Sequence, residues 1–508
     1  MGTVKTKTIV IQASERVALV GFALYAVFAP HSIAGAEIAL SFVGFAWLAR
    51  TIFTGSTGIL RSRVDLPIVL FIIWTILSSF LSEAPRTSLA KLQSVCVVLL
   101  LYLARAFIKR RTAVFLISLM IVSAVAGTLW SVVSLVRGRG VVVQGIASGS
   151  PFRRIDVIPG DAVWRIGRTE VRSIADINGA LAVARPGDQL GVSIIRDGEH
   201  ADLPGFVLSN EERARPDSSG LTGIAPTHRF RASGWTRHYE TYSETLQILT
   251  QLALGIGLAG FSRKPRSRWA QLALAAAALL TAGVALTAMR TVLVALVLGA
   301  LLVIWRATGR QIRIIAAAAL LLAVALGIFS VWRTRATGAL LLDDASASLR
   351  AQVAKAGAAR ILMHPLFGVG MDSIKTHWHE WGFPGNVIIH MHSTPLELAF
   401  ERGLPALFFW CWIMVTFLKL TWKAEKRFEN SADWATHGIL LGALGAAIGF
   451  LASSLVNYNF GDGEVALVFW FMMGTVIAVS KMRPEEEDRA SVLEPVSVSQ
   501  TSLSAASQ

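Results

Sequence analysis

The chain has 508 residues, 54% of them hydrophobic and only 16% charged, with a mean hydropathy of +0.56. That composition excludes an ordinary soluble enzyme and reads as a membrane protein. The formal net charge of +15 is no sign of a nucleic-acid partner, because inserted helices keep Lys and Arg in their cytoplasmic loops.

Apolar runs of about 17–25 residues cross a hydrocarbon core. In chain order they are Arg16–Phe28, continuing toward Ile33, then Ile38–Phe53, Leu66–Leu81, Leu92–Ile108 and Ala113–Val136, then Thr245–Phe261, Trp269–Ala288, Thr291–Trp305 and Ile314–Val331, and last Leu404–Trp422, Gly438–Val456 and Val465–Ser480. The expected fold is an all-α polytopic membrane protein of about twelve transmembrane helices, with a small α/β domain inserted between helices five and six. Basic residues follow each even-numbered helix: Arg61 and Arg63, Arg105 to Arg111, Arg263 to Arg268, Arg306 to Arg313, and Lys419 to Arg427. Those exits are expected to be cytoplasmic, as are both termini. No cleavable leader is evident, and Cys96 and Cys411, within apolar runs, read as buried thiols.

Segment by segment, 1–137 holds helices one to five and 138–206 a folded insert. A linker is expected over 207–240, helices six to nine over 241–331, and a large outward loop over 332–403. Helices ten to twelve follow over 404–482, then a disordered cytoplasmic tail over 483–508.

The insert is not membrane-like. β-Branched runs at Gly140–Ile146 and Gly191–Arg196 flank Gly149-Ser150-Pro151, Pro159-Gly160-Asp161, a helical pattern at Ser173–Val183 and Pro186-Gly187-Asp188. This order resembles a bacterial PDZ domain, with Phe152 to Asp156 in place of the usual small turn and Gly167-Arg168 where Asn-Gly is common. The resemblance implies strand addition of an extended peptide along Gly140, Val141, Val142 and Val143, from a periplasmic partner. A PDZ-shaped spacer that binds nothing is the other reading.

The second insertion holds His364, His377, His379, His390 and His392, five of the chain's ten histidines. Pairs two residues apart do not make the i, i+4 spacing of a helical zinc site, so no metal and no cofactor is expected. Thr394-Pro395-Leu396-Glu397 reads as a helix start closed by a capping box. Arg290, between two apolar helices, is costly unless it meets an anion or a cavity.

Three segments resemble the O-antigen ligase and polysaccharide polymerase superfamily of bacterial inner-membrane glycosyltransferases. They are Met289-Arg290-Thr291, the run from Arg360 through His364-Pro365-Leu366-Phe367-Gly368-Val369-Gly370, and His392-Ser393-Thr394 through Glu401-Arg402-Gly403. Met289 stands where the family commonly has Ser, and Ser393 where it has Asn. The resemblance implies a donor glycan on undecaprenyl diphosphate, a glycan or lipid A-core acceptor, and metal-independent inverting transfer at the periplasmic face. On that reading His392 is the base and Arg290 and Arg350 stabilise the diphosphate. Arg360, Glu401 and Arg402 contact substrate. Ligase and polymerase share these motifs. A PDZ-bearing scaffold, or a transporter for envelope glycans, is the alternative from another class.

Overall fold

The computed structural model describes residues 2–482 except 214, 216, 225, 237, 312, 315–340 and 386–389. The predicted helix Ile314–Val331, the start of the second insertion and the tail 483–508 therefore lie almost wholly outside the described residues.

The first group of helices is α1 (Gly2–Phe28), α2 (Ile33–Thr54), α3 (Asp65–Leu81), α4 (Pro85–Lys91), α5 (Leu99–Phe107) and α6 (Arg110–Arg137). Ser32 opens α2 by accepting from the Gly35 amide, and Gly55 closes it at φ 70°. A 3₁₀ stretch, Leu92–Val98, joins α4 to α5 within one apolar span. Such a stretch tightens the helix and disturbs its regular side-chain stripes. After the insert come α9 (Tyr239–Arg263), α10 (Arg268–Leu286), α11 (Arg290–Ala307), α12 (Leu341–Met363) and α13 (Ile374–His377). The last three are α14 (Thr394–Phe428), α15 (Trp434–Ser454) and α16 (Gly463–Ser480). Among the described residues, ten helices are long and apolar enough to cross a membrane, and α3 is a shorter apolar helix.

Glycine sets how closely the interior helices meet. A Cβ added at Gly255 of α9 would lie 2.3 Å from the Gly442 amide nitrogen of α15. One at Gly299 of α11 would lie 2.3 Å from the Gly445 carbonyl oxygen. These backbones are in direct contact, as small residues permit in lipid, where dispersion replaces the hydrophobic effect as the packing force. Helices α9, α15 and α16 form the interior, while α1, α2 and α10 stand outside with exposed Phe45, Ile52 and Trp269. Cys96 and Cys411 are free thiols on exposed helix surface, not buried as expected, because an apolar run in lipid has an outward face as well as an inward one.

The basic exits gather at one end. Arg105 pairs there with Asp65, Arg110 with Asp433 at 3.3 Å, and Arg306 with Glu425 and Glu429 at 2.9 and 3.1 Å. The other end carries the inserts.

The first insert is a sheet of order β5-β4-β2-β1-β6, with β3 beside β2. Its strands are β1 (Val141–Ile146), β2 (Ala162–Ile166), β3 (Thr169–Glu170), β4 (Leu190–Arg196), β5 (Glu199–Phe206) and β6 (Leu221–Ile224), with helices α7 (Ile174–Val183) and α8 (Asn210–Arg213). Val141 and Val143 point into a core with Phe152, Val163, Ile177, Leu181 and Ile194. Ser173 and Asp176 form a capping box that opens α7. Pro151–Ile155 makes a 3₁₀ turn that buries Phe152 against Phe206, which accounts for the large residue in place of a small one.

Two expectations change here. The predicted linker 207–240 contributes α8 and β6, so the sheet draws on residues beyond 206. Val142 pairs with Ala162 on one side and Ile224 on the other, and Val143 pairs with Gly223. Strand β1 therefore has no free edge for a peptide along Val141 to Val143; the edge on that side of the sheet is β6. Gly140, at φ 69°, packs against the Val163 carbonyl oxygen, where an added Cβ would lie 2.7 Å away. The insert is tied down at its base. Arg139 and Thr227 exchange backbone bonds of 2.8 and 3.1 Å, Arg231 donates its amide to Gly198 O at 2.8 Å, and the Tyr239 hydroxyl reaches Glu199 at 3.4 Å.

Candidate active site

Helix α14 is broken, and the site is built around the break. Pro405 has no N–H to give Glu401 O, and Gly403 sits at φ 82°, ψ 170°. The carbonyls released are taken by other chain segments. Val369 N–H donates to Phe400 O at 2.9 Å, Gly370 N–H to Glu401 O at 3.0 Å, and the Trp74 indole N–H to Arg402 O at 3.0 Å. Leu404 N–H in turn donates to Pro365 O at 2.8 Å. The loop His364–Gly370 is thus a plug in the broken helix. Its approach requires glycine on both sides: a Cβ at Gly403 would lie 1.8 Å from Leu366 O, and one at Gly368 2.5 Å from the Glu401 carbonyl carbon. The spacing of these two motifs in the sequence is the spacing of a plug and its socket.

Beside the break lies a cavity of about 470 Å³. Its lining is polar at His390, His392, Glu397, Glu401 and Arg402, the first turn of α9 and the loop Asn457–Asp462, and apolar at Phe71, Trp470, Val95, Val97 and Val98, with Lys91 also present. A site of this form offers fixed charges to a polar headgroup and hydrocarbon contact to an attached chain.

His392 is half-buried and held at φ 51°. Its ring meets His390 edge-on, with centroids 4.6 Å apart. Burial, then His390 and Arg350, push its pKa down to about 4, so the imidazole is neutral at ordinary pH. Ala288 and Asp372 also have positive φ, so three of the five such non-glycine residues described lie at this site or beside Arg290. Backbone held in sparsely populated conformations tends to cluster at functional sites.

The expected site residues divide. His392, Glu401 and Arg402 converge on the cavity. Arg402 is 6% exposed, lies 3.5 Å from Glu401 and stacks over Phe71. Arg350, on α12, acts electrostatically on His390, His392 and Glu240. Arg290 is exposed at the start of α11 and is not part of the cavity wall; its neighbour Thr291 accepts from the Asn457 amide at 3.3 Å, which sets it beside that wall. Arg360 departs from expectation. It is held by Glu83 at 2.9 Å and lies over the Trp381 ring, so its charge is already satisfied away from the cavity. His364 shares Glu83 at 3.3 Å. The capping box at Thr394 does not form. Glu397 accepts from the Met391 amide at 2.5 Å, and Thr394 bonds to Asn457 O and Asn459 Oδ1.

Two contributors were missed. Glu240 and Glu244, with Gln247 and Gln251, make a polar stripe at helical spacing on α9, a signal that placing the helix start at Thr245 discards. Glu244 accepts from Ser453 at 2.7 Å, and Ser453 accepts from Asn457 at 2.9 Å. The second is Asn457-Tyr458-Asn459, a polar run between two apolar helices on the same side as the inserts. Among the described residues no group of three or more His, Cys, Asp or Glu side chains is arranged to hold a metal ion.

Residues 275–411 match the family model described as O-antigen ligase. That span takes in Arg290, the plug loop, His392 and the break in α14. Residues 122–204 match the PDZ domain, starting inside α6 and ending before β6. No curated protein matches the chain.

Proposed function

We propose that this chain, which carries an O-antigen ligase region and a PDZ domain within one bundle of apolar helices, transfers or polymerises an undecaprenyl-diphosphate-linked oligosaccharide at the periplasmic face of the bacterial inner membrane. The observation that carries the reading is the cavity lined by a neutral His392, a buried Arg402 and apolar side chains, at the end opposite the basic exits. Both termini are cytoplasmic on this reading.

The acceptor hydroxyl attacks the anomeric carbon and gives its proton to the His392 imidazole. The bond from that carbon to the diphosphate breaks, and its electron pair leaves with the phosphate oxygen. Attack opposite the leaving group inverts the centre. Arg402 is the buried cation for the diphosphate, with Arg350 within electrostatic reach and Arg290 beside the wall. Guanidinium groups suit this role because they stay charged and hold phosphate oxygens in pairs. Glu401 fixes the Arg402 head.

The base is competent only when unprotonated. Transfer is therefore expected to hold constant from pH 8 down through pH 6 and to fail as the pH drops through about 4. A pH–rate profile with an acid limb near 6.5 would remove the buried-base assignment.

Product analysis after gene deletion separates the two activities. Loss of long chains with single repeats still attached indicates a polymerase; lipid-linked polymer that never reaches its acceptor indicates a ligase. The scaffold reading has one observation in its favour, the docking of the PDZ domain onto the start of α9 through Glu199 and Tyr239. Deletion of 139–227, the span closed by the Arg139–Thr227 pair, is expected to leave measurable transfer and abolish capture of any periplasmic peptide partner. A peptide would add to the β6 edge.

A further inference from the structure

We propose that His390, backed by Tyr458, positions the His392 ring for proton transfer; this rests on the function proposed above. The carrying observation is a stack of three rings across the cavity wall. His390 meets His392 edge-on at 4.6 Å and 79°, and Tyr458 lies behind His390 at 5.8 Å and 57°. The Tyr458 hydroxyl donates to Glu401 at 3.3 Å, and the other Glu401 oxygen accepts from the Asp372 amide at 2.8 Å. The stack therefore runs from His392 into the helix break that the plug loop secures. It links the base to the residue that holds Arg402, so the proton acceptor and the phosphate cation share one support.

The backbone gives His392 a need for such support. At φ 51° it occupies a conformation that costs a non-glycine residue free energy and persists only when neighbours determine it. Ser393, next to it, makes no side-chain cap bond at the start of α14. The ring packing of His390 is then what fixes the imidazole plane.

The charged groups that act on the two rings are few. Arg350 from α12 disfavours a proton on both, and Asp462, before α16, favours one on His390. Each imidazole disfavours charge on the other at this distance.

The test uses the full-length protein in detergent or nanodiscs, with a lipid-diphosphate-linked glycan as donor. His390→Ala is expected to lower kcat by ten- to a hundredfold with KM for the donor changed less than about threefold. Its acid limb is expected to rise, since the like-charged neighbour of His392 is gone. His390→Phe keeps the ring and is expected to recover most of kcat. Tyr458→Phe is expected to lower kcat less than His390→Ala does. Wild-type kcat and an unmoved acid limb in His390→Ala would overturn the proposal, as would failure of His390→Phe to recover in a protein that melts like the wild type. His392→Ala is measured alongside. If that variant transfers glycan normally, the base assignment itself fails. If it is inactive while His390→Ala behaves as wild type, the positioning role alone fails.

Discussion

His392→Ala is expected to lower glycan transfer by about a hundredfold or more, the size of a general base contribution, with insertion and melting temperature unchanged. The side chain is half-buried and lines the cavity, so its loss opens space next to the cavity rather than in the packed core. Its environment disfavours the imidazolium. Burial comes first, then a second imidazole and a guanidinium, all acting against the charged form. A neutral imidazole at the mouth of a polar helix break can receive a hydroxyl proton without first losing one. Initial rates with purified protein and donor at saturating acceptor check the prediction, alongside a thermal melt. Near-normal rates in the variant would remove the residue from the chemistry.

Gly403→Ala is expected to do more damage, by a different route. The new methyl would sit 1.8 Å from Leu366 O, and the chain there is at φ 82°. Neither backbone can yield without releasing the plug, because Leu404 N–H, Val369 N–H and Gly370 N–H all bond across the break. The cost expected is about 4 kcal/mol or more, in the range reserved for backbone collisions and strained conformations. Glu401 and Arg402 would lose their anchor together. The variant should show a lowered melting temperature in detergent and no transfer even below that temperature. A protein that melts and works like the wild type would mean that the broken helix does not organise the site.

Much of the architecture was legible because hydrocarbon imposes length and apolarity on each span. Helix ends were less so. Helix α14 begins at Thr394, where the Thr-Pro-Leu-Glu start was read, but it runs without interruption by loop into the apolar span expected to begin at Leu404, with Glu397, Glu401 and Arg402 turned inward. Starting each span at its apolar run hid the acidic first turns of α9. Strand β6 escaped notice because it is four residues long and contains glycine; only pairing with β1, about eighty positions earlier in the chain, makes it a strand. Two of the three motif segments meet directly, the loop His364–Gly370 bonding across the break at Phe400 to Leu404. What spacing could not reveal was that Arg360 is claimed by Glu83 from a distant turn, whereas Arg402, inside the motif, is the buried cation at the cavity. Charge partners contributed by remote segments leave no local trace.

The most direct measurement is photo-crosslinking of a lipid diphosphate carrying a diazirine near the phosphates, followed by peptide mapping of the purified protein. Adducts are expected on the stretch Lys91–Val98 and on the segment from His390 to Arg402, and an excess of natural donor should suppress them. Adducts confined to the end with the basic exits, or to the PDZ domain, would contradict the site.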